Sequence, residues 1–205
     1  MFVTFEGIDG SGKSTQARLL AEALRGAGRE VVLTREPGGS QGAEEIRRLV
    51  LEGATDRWSP MTELLLFTAA RRDHLERLIE PALARGAVVI CDRFTDSTRM
   101  YQGMEREGGA NLRGLVDQLH RMVIPREPDL TMLIDIDPEL GLSRAKARAG
   151  TEERFEDMGL ALQERMRAGF LALAQEFAPR FRVIDGARSP EAVAQDVRAA
   201  FEASA

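Results

Sequence analysis

The sequence predicts an α/β fold: a five-stranded parallel sheet flanked by helices on both faces. Two observations carry this. Short apolar runs alternate five times with stretches of helical periodicity. The first run, Phe2 to Phe5, leads directly into Gly7-Ile8-Asp9-Gly10-Ser11-Gly12-Lys13-Ser14, which satisfies G-x-x-x-x-G-K-[ST] at every fixed position, and a helical stretch from Thr15 to Leu24 follows. Strand, glycine loop and helix together define a phosphate-binding loop. Its glycines let backbone N–H groups approach phosphate oxygens, and the helix N-terminus adds partial positive charge. Lys13 is placed for the outer phosphates and the Ser14 hydroxyl for Mg²⁺. Of the 28 basic side chains only Lys13 and Lys146 are lysine, so a lysine in the loop points to a need for a compact ammonium.

The remaining elements follow in order. Gly26 and Gly28 stop the first helix. Val31 to Thr34 reads as a second strand, and Arg35-Glu36-Pro37-Gly38-Gly39 as the turn at its carboxyl end. Ligands bind at that end of parallel strands, so Arg35 and Glu36 are site candidates, though two solvated charges in a turn would look the same. A helix is expected over Ala43 to Leu51, and another opens at Ser59-Pro60 with Ser59 as N-cap. Within it Phe67 and Arg71 stand four residues apart; by pattern alone Phe67 reads as core and Arg71 as surface. Ala87 to Cys91 is a continuous apolar run typical of a buried parallel strand, ending in Asp92-Arg93. A carboxylate there can hold Mg²⁺, directly or through water. The polar stretch from Thr95 to Gly103 carries Thr98, Arg99, Gln102 and the single tyrosine, Tyr101.

A helix over Leu112 to Met122, a strand over Leu130 to Asp135 and a helix opening at Pro138 come next. That helix carries Arg144, Lys146 and Arg148, and its glycine punctuation and dense charge mark about 141–156 as a mobile lid. A long amphipathic helix from Met158 to Phe177, a fifth strand from Phe181 and a last helix capped by Ser189-Pro190 complete the chain. Residues 1–205 thus read as one domain with a lid.

Composition narrows the function classes. A net charge of −5 gives no strong field toward nucleic acid or anionic membrane, and neither is expected as a partner. The sequence shows no signal-peptide pattern and no apolar run of membrane-spanning length, so a cytoplasmic protein is expected. Cys91, the one cysteine, reads as a buried structural thiol, and no His/Cys cluster suggests zinc. A GTPase would carry a guanine-reading N-K-x-D segment, and neither lysine lies in one.

Taken with Thr34 to Gly39, Leu66-Phe67 with Arg71, Asp92-Arg93-Phe94 through Ser97-Thr98 and Tyr101-Gln102-Gly103, and Arg154-Phe155-Glu156, the loop resembles the bacterial thymidylate kinases along essentially the whole chain. The resemblance implies a nucleotide-kinase-like phosphate-loop NTPase with a short helical lid, transferring the γ-phosphoryl of ATP to dTMP with Mg²⁺ and acting as a homodimer through helices near 43–85. It further implies that Gly7, Ile8, Asp9, Gly10, Ser11, Gly12, Lys13, Ser14, Thr15 and Arg144 bind ATP, with Ser14 and Asp92 at the metal. For dTMP it implies Asp9 at the sugar 3′-hydroxyl, Phe67 stacked on thymine, Arg71 on a base carbonyl and Arg35 and Arg93 at the acceptor phosphate. Thr98 and Gln102 would lie at the base edge, Tyr101 under the deoxyribose, and Glu36 and Pro37 around the pocket. Asp9, Lys13, Arg93 and Arg148 would carry catalysis. The loop interior holds no basic residue, so the chain resembles the type whose catalytic arginine comes from the lid, with Arg148 the choice and Arg144 and Arg154 the alternatives. Arg99-Met100 departs from the small or apolar residues usual there, adding a charge that could face solvent or the acceptor.

Overall fold

In the computed structural model, the described residues are 1–53, 57–104, 111–147 and 159–204. The strands are β1 (Phe2–Glu6), β2 (Val31–Arg35), β3 (Val88–Asp92), β4 (Leu130–Asp135) and β5 (Phe181–Asp185). They form one parallel sheet in the order β2-β3-β1-β4-β5. The three inner strands are the continuous apolar runs, as burial on both faces requires. The helices are α1 (Lys13–Gly26), α2 (Gln41–Leu51), α3 (Pro60–His74), α4 (Glu80–Ala84), α5 (Thr95–Tyr101), α6 (Arg113–Val123), α7 (Pro138–Lys146), α8 (Gly159–Glu176) and α9 (Pro190–Glu202).

Alternate strand residues serve opposite faces. Val3, Phe5, Val88 and Ile90 pack with Leu20 of α1 and Val197 and Phe201 of α9. Phe2, Val89 and Cys91 pack on the other face against Leu75, Ile79 and Ile124. On that same face Phe170 and Leu173 of α8 cover Leu133 and Ile136. The serine caps read from the sequence hold: the Ser59 and Ser189 hydroxyls accept from Thr62 N and Ala192 N. The structure adds Asp137 as the cap of α7, ahead of Pro138. Between α3 and α4 the chain makes a π-helical turn, Leu75–Ile79. Pro81 lacks the N–H that an unbroken α-helix would use here, and the wider turn absorbs the loss.

One segment differs from its sequence pattern. Thr95 to Tyr101 is a helix, and residues 95–100 are buried despite their polarity. Arg99 faces neither solvent nor the site. It donates to Asp96 and Asp117 at 2.7 Å each and lies over the Phe177 ring. Arg180, from the approach to β5, grips the same Asp96 and stacks on Phe177 from its own side. Apolar periodicity cannot reveal a helix whose burial is satisfied by ion pairs. This array seats α5 against the sheet beside the carboxyl ends of β1 and β3.

Candidate active site

The phosphate loop follows β1, the central strand, and runs into α1 at Lys13. Two glycines are dictated by close approach. A Cβ on Gly7 (φ +138°) would stand 2.5 Å from the Ile134 carbonyl, and one on Gly10 (φ +76°) 1.9 Å from that of Gly141. Ile8 anchors the loop in the core. Lys13 is buried, its Nζ donating to the Ile8 carbonyl at 2.7 Å. Burial, and next the charge of Arg93, push its pKa down to about 8. The Ser14 hydroxyl donates to the Asp92 carboxylate at the end of β3.

Across the loop stands Arg93, the one non-glycine with positive φ (70°) among the described residues. Its N–H bonds the Phe5 carbonyl, and its guanidinium reaches Gly7 O at 3.3 Å, Ser97 Oγ at 3.0 Å and the Asp9 carboxylate. Tyr101 donates to the other Asp9 oxygen at 2.9 Å. Burial works to raise the Asp9 carboxyl, but the charges of Arg93 and Lys13 and hydrogen bonds from Tyr101 and Gln163 outweigh it and hold it below its ordinary value.

Glu6, wholly buried at the end of β1, accepts from Phe94 N at 2.8 Å and Ser97 Oγ at 2.6 Å. It ties the start of α5 to the strand that carries the phosphate loop. Burial first, and the Asp96 charge second, raise its pKa to about 7, against the lowering effect of its hydrogen bonds and Arg93.

Beside this junction opens a cleft of about 430 Å³. Every residue expected at dTMP lines it: Asp9, Arg35, Glu36, Pro37, Phe67, Arg71, Arg93, Thr98, Tyr101 and Gln102. Arg71 is buried, contrary to its surface pattern. Its Nε donates to Glu36 Oε2 at 2.6 Å, its Nη2 to Thr98 Oγ1 at 2.9 Å, and it lies over the Phe94 ring. Phe67 is buried and still lines the cleft, so core and site describe the same side chain. The buried Gln102 Nε2 has no hydrogen-bond partner among the described residues. The Glu36–Pro37 peptide is cis. Arg35 is exposed at the mouth, 3.4 Å from Glu44.

Of the loop residues, Asp9, Gly10, Gly12, Lys13 and Ser14 line the cleft, while Gly7, Ile8, Ser11 and Thr15 do not. Arg144 lies outside the cleft and donates to the Gly186 carbonyl at 3.1 Å, in the turn after β5. Arg148, Arg154 and most of the expected lid fall outside the described residues. Sequence reasoning gave no site role to Glu6, Ser97, Phe94, Arg47 and Leu51, nor to Gln163 on Asp9; Glu6 meets Phe94 and Ser97, 88 and 91 residues away, which no local pattern signals.

A phosphate loop facing a base-sized cleft across an ionic junction defines a nucleotide kinase of the phosphate-loop class. Comparison with known proteins specifies which. The thymidylate kinase family model matches residues 5–197. The chain is 75% identical over 197 residues to a thymidylate kinase of Ruegeria pomeroyi, covering 96% of this chain and 92% of that protein. It is 66% identical to one of Dinoroseobacter shibae, over 95% and 93% of the two chains. The crystal structure of a thymidylate kinase from Ehrlichia chaffeensis is similar over 98% of each chain, with a TM-score of 0.78 and 37% identity. The chain belongs to the thymidylate kinase family.

Glu6 yields a test of the junction. Well below pH 4.5 it is neutral in both folded and unfolded chains; as pH rises through 4.5 toward about 7 the unfolded chain releases its proton first, so the stability Glu6 contributes is lost across that window. Glu6→Gln cannot titrate. The stability of the native protein minus that of Glu6→Gln, from urea melts, is expected to fall between pH 4.5 and 7 and to level off above it; a difference independent of pH would contradict the assignment.

Proposed function

We propose the following division of labour for the ATP-dependent phosphorylation of dTMP to dTDP, the reaction this chain carries out. ATP lies on the loop from Gly7 to Thr15, with Lys13 turning from the Ile8 carbonyl to the outer phosphates and Arg144 on the nucleoside side. dTMP fills the cleft. Phe67 stacks on thymine, Arg71 and Gln102 donate to the base, Thr98 meets its edge, and Tyr101 lies under the sugar. Asp9 takes the 3′-hydroxyl, while Arg93 and Arg35 hold the acceptor phosphate. Glu36 and Pro37 shape the wall behind it.

The observation that carries this reading is the position of Arg93. One guanidinium touches the Gly7 carbonyl of the donor loop and the Ser97 and Tyr101 side chains of the acceptor floor. The acceptor phosphate is itself the nucleophile, so the residues need only align two phosphates, neutralise their repulsion and exclude water. No covalent enzyme intermediate is required.

Ser14 and Asp92 place two hard oxygen donors in direct contact beside Lys13, a set that fits Mg²⁺. When bound there the ion would neutralise charge on the phosphate oxygens. The residues between the outer glycines are Ile8, Asp9, Gly10 and Ser11, none basic, so the transferring group needs a cation from elsewhere. Arg148, just beyond α7, supplies it in this reading. Exposed Leu49 of α2, Met61 and Leu65 of α3 and Met122 of α6 support a homodimer through these helices. Among the described residues no helix is long and apolar enough to cross a membrane. The buried thiol of Cys91 suits the reducing cytoplasm, where we place the protein.

ADP release measured against an acceptor panel tests the site. dTMP is expected to outpace dUMP, dCMP and dGMP, because the methyl group and O4 of thymine meet Phe67 and Arg71; release independent of acceptor would indicate an ATPase instead. Arg148→Ala is expected to lower kcat by about a hundredfold or more while leaving the KM for dTMP nearly unchanged. An unaltered kcat would remove Arg148 from the mechanism.

A further inference from the structure

His74, the last residue of α3, is wholly buried and lies outside the cleft. We propose that it is a positioning residue of the acceptor site, holding the Glu36 carboxylate so that Arg71 is presented to the nucleobase. The proposal rests on the reading that Arg71 contacts the base.

The geometry is a chain of short contacts. Arg71 and His74, one turn apart on α3, clamp opposite oxygens of one carboxylate: Arg71 Nε donates to Glu36 Oε2 at 2.6 Å, and His74 Nδ1 lies 3.0 Å from Glu36 Oε1. A carboxylate paired with arginine can only accept, so Nδ1 carries the proton. Nε2 is hydrogen-bonded to Thr34 Oγ1 at 2.8 Å. Gly39 closes the ring of contacts. A Cβ there would fall 2.3 Å from His74 Nε2 and 2.4 Å from Thr34 Oγ1. The first, third and sixth residues of Thr34-Arg35-Glu36-Pro37-Gly38-Gly39 therefore all meet one imidazole. This gives part of that segment a physical purpose that its position in the sequence does not reveal.

Cys91 lies close as well: ligand atoms of Glu36, His74 and Cys91 fall within 4.8 Å of one another. The group is already satisfied without a metal. Both His74 nitrogens and both Glu36 oxygens are engaged, and Cys91 Sγ donates to the Arg93 carbonyl at 3.0 Å. What the array does is fix direction. Among the described residues, Arg71 is held at its other end by Thr98 and by stacking over Phe94. With His74 removed, one oxygen of a buried carboxylate loses its donor, and Glu36 rotates to recover one, taking the Arg71 guanidinium with it.

The test is steady-state kinetics on the full chain with the variants His74→Leu, His74→Asn, Thr34→Val, Arg71→Ala and His74→Leu combined with Arg71→Ala, each with a thermal melt. His74→Leu is expected to raise the KM for dTMP roughly tenfold while leaving the KM for ATP unchanged. His74→Asn, whose amide N–H can stand where Nδ1 stood, is expected to restore most of that loss. Thr34→Val, which keeps the shape but removes the hydroxyl, is expected to raise the KM for dTMP by roughly threefold and serves if the leucine variant does not fold. Adding His74→Leu to Arg71→Ala should raise the KM for dTMP no further than Arg71→Ala alone. The proposal is overturned if the KM for ATP rises in parallel, if asparagine rescues nothing, if Thr34→Val leaves the KM for dTMP unaltered, or if the two substitutions add. An unchanged KM for dTMP in Arg71→Ala would overturn the base-contact reading itself and the proposal with it, whereas a rise there with none in His74→Leu would overturn the proposal alone.

Discussion

The contact between Asp9 and Arg93 is the constraint around which the site is built. It joins the loop after β1 to the turn after β3, strands that pair in register from Phe2 with Val89 to Phe5 with Asp92. Arg93 keeps a left-handed backbone there because its N–H is held by Phe5 O and its side chain is fixed at Asp9, Gly7, Ser97 and Tyr101. Glu6 secures the same joint from beneath, through Phe94 N and Ser97 Oγ. The phosphate loop and the floor of the cleft, from segments 84 residues apart, are thereby held together, and in-line transfer needs such a fixed separation.

Charge at this joint is balanced within a small volume. Burial and then Arg93 lower the pKa of Lys13, Arg93 and Lys13 hold Asp9 low against its burial, and burial with the Asp96 charge raises Glu6. Perturbed groups such as Lys13 and Asp9 in one cleft are characteristic of functional sites. The Lys13 ammonium meanwhile rests on the Ile8 carbonyl and the Ser11 hydroxyl. The second polar array, around Asp96, Arg99 and Arg180, lies behind α5 and holds that helix from the far side.

The sequence was most legible where physics acts locally. The phosphate loop, the three buried inner strands and the serine caps each follow from a few adjacent residues. Legibility failed where a side chain is satisfied by a distant partner. Arg71 looks like a surface arginine until Glu36, thirty-five residues away, neutralises it in the interior. The helix from Thr95 to Tyr101 looks like a polar loop until Asp96 meets Arg180. Glu6 and His74 were overlooked for the same reason, since their roles lie in long-range hydrogen bonds. The resemblance to thymidylate kinases assigned Arg71 to the site where periodicity could not, and the structure supplies the physical reason that an arginine can sit there.

The central claim is that Asp9 and Arg93 act as one unit joining the two nucleotide sites. A double-mutant cycle on kcat/KM for dTMP, using Asp9→Asn, Arg93→Gln and the two combined, measures that directly. If the two act as one unit, strong non-additivity is expected, with the combined variant little worse than the poorer single one and a coupling of about 1.5 kcal/mol or more. Additive losses would mean that the two residues serve the reaction separately, and would contradict it.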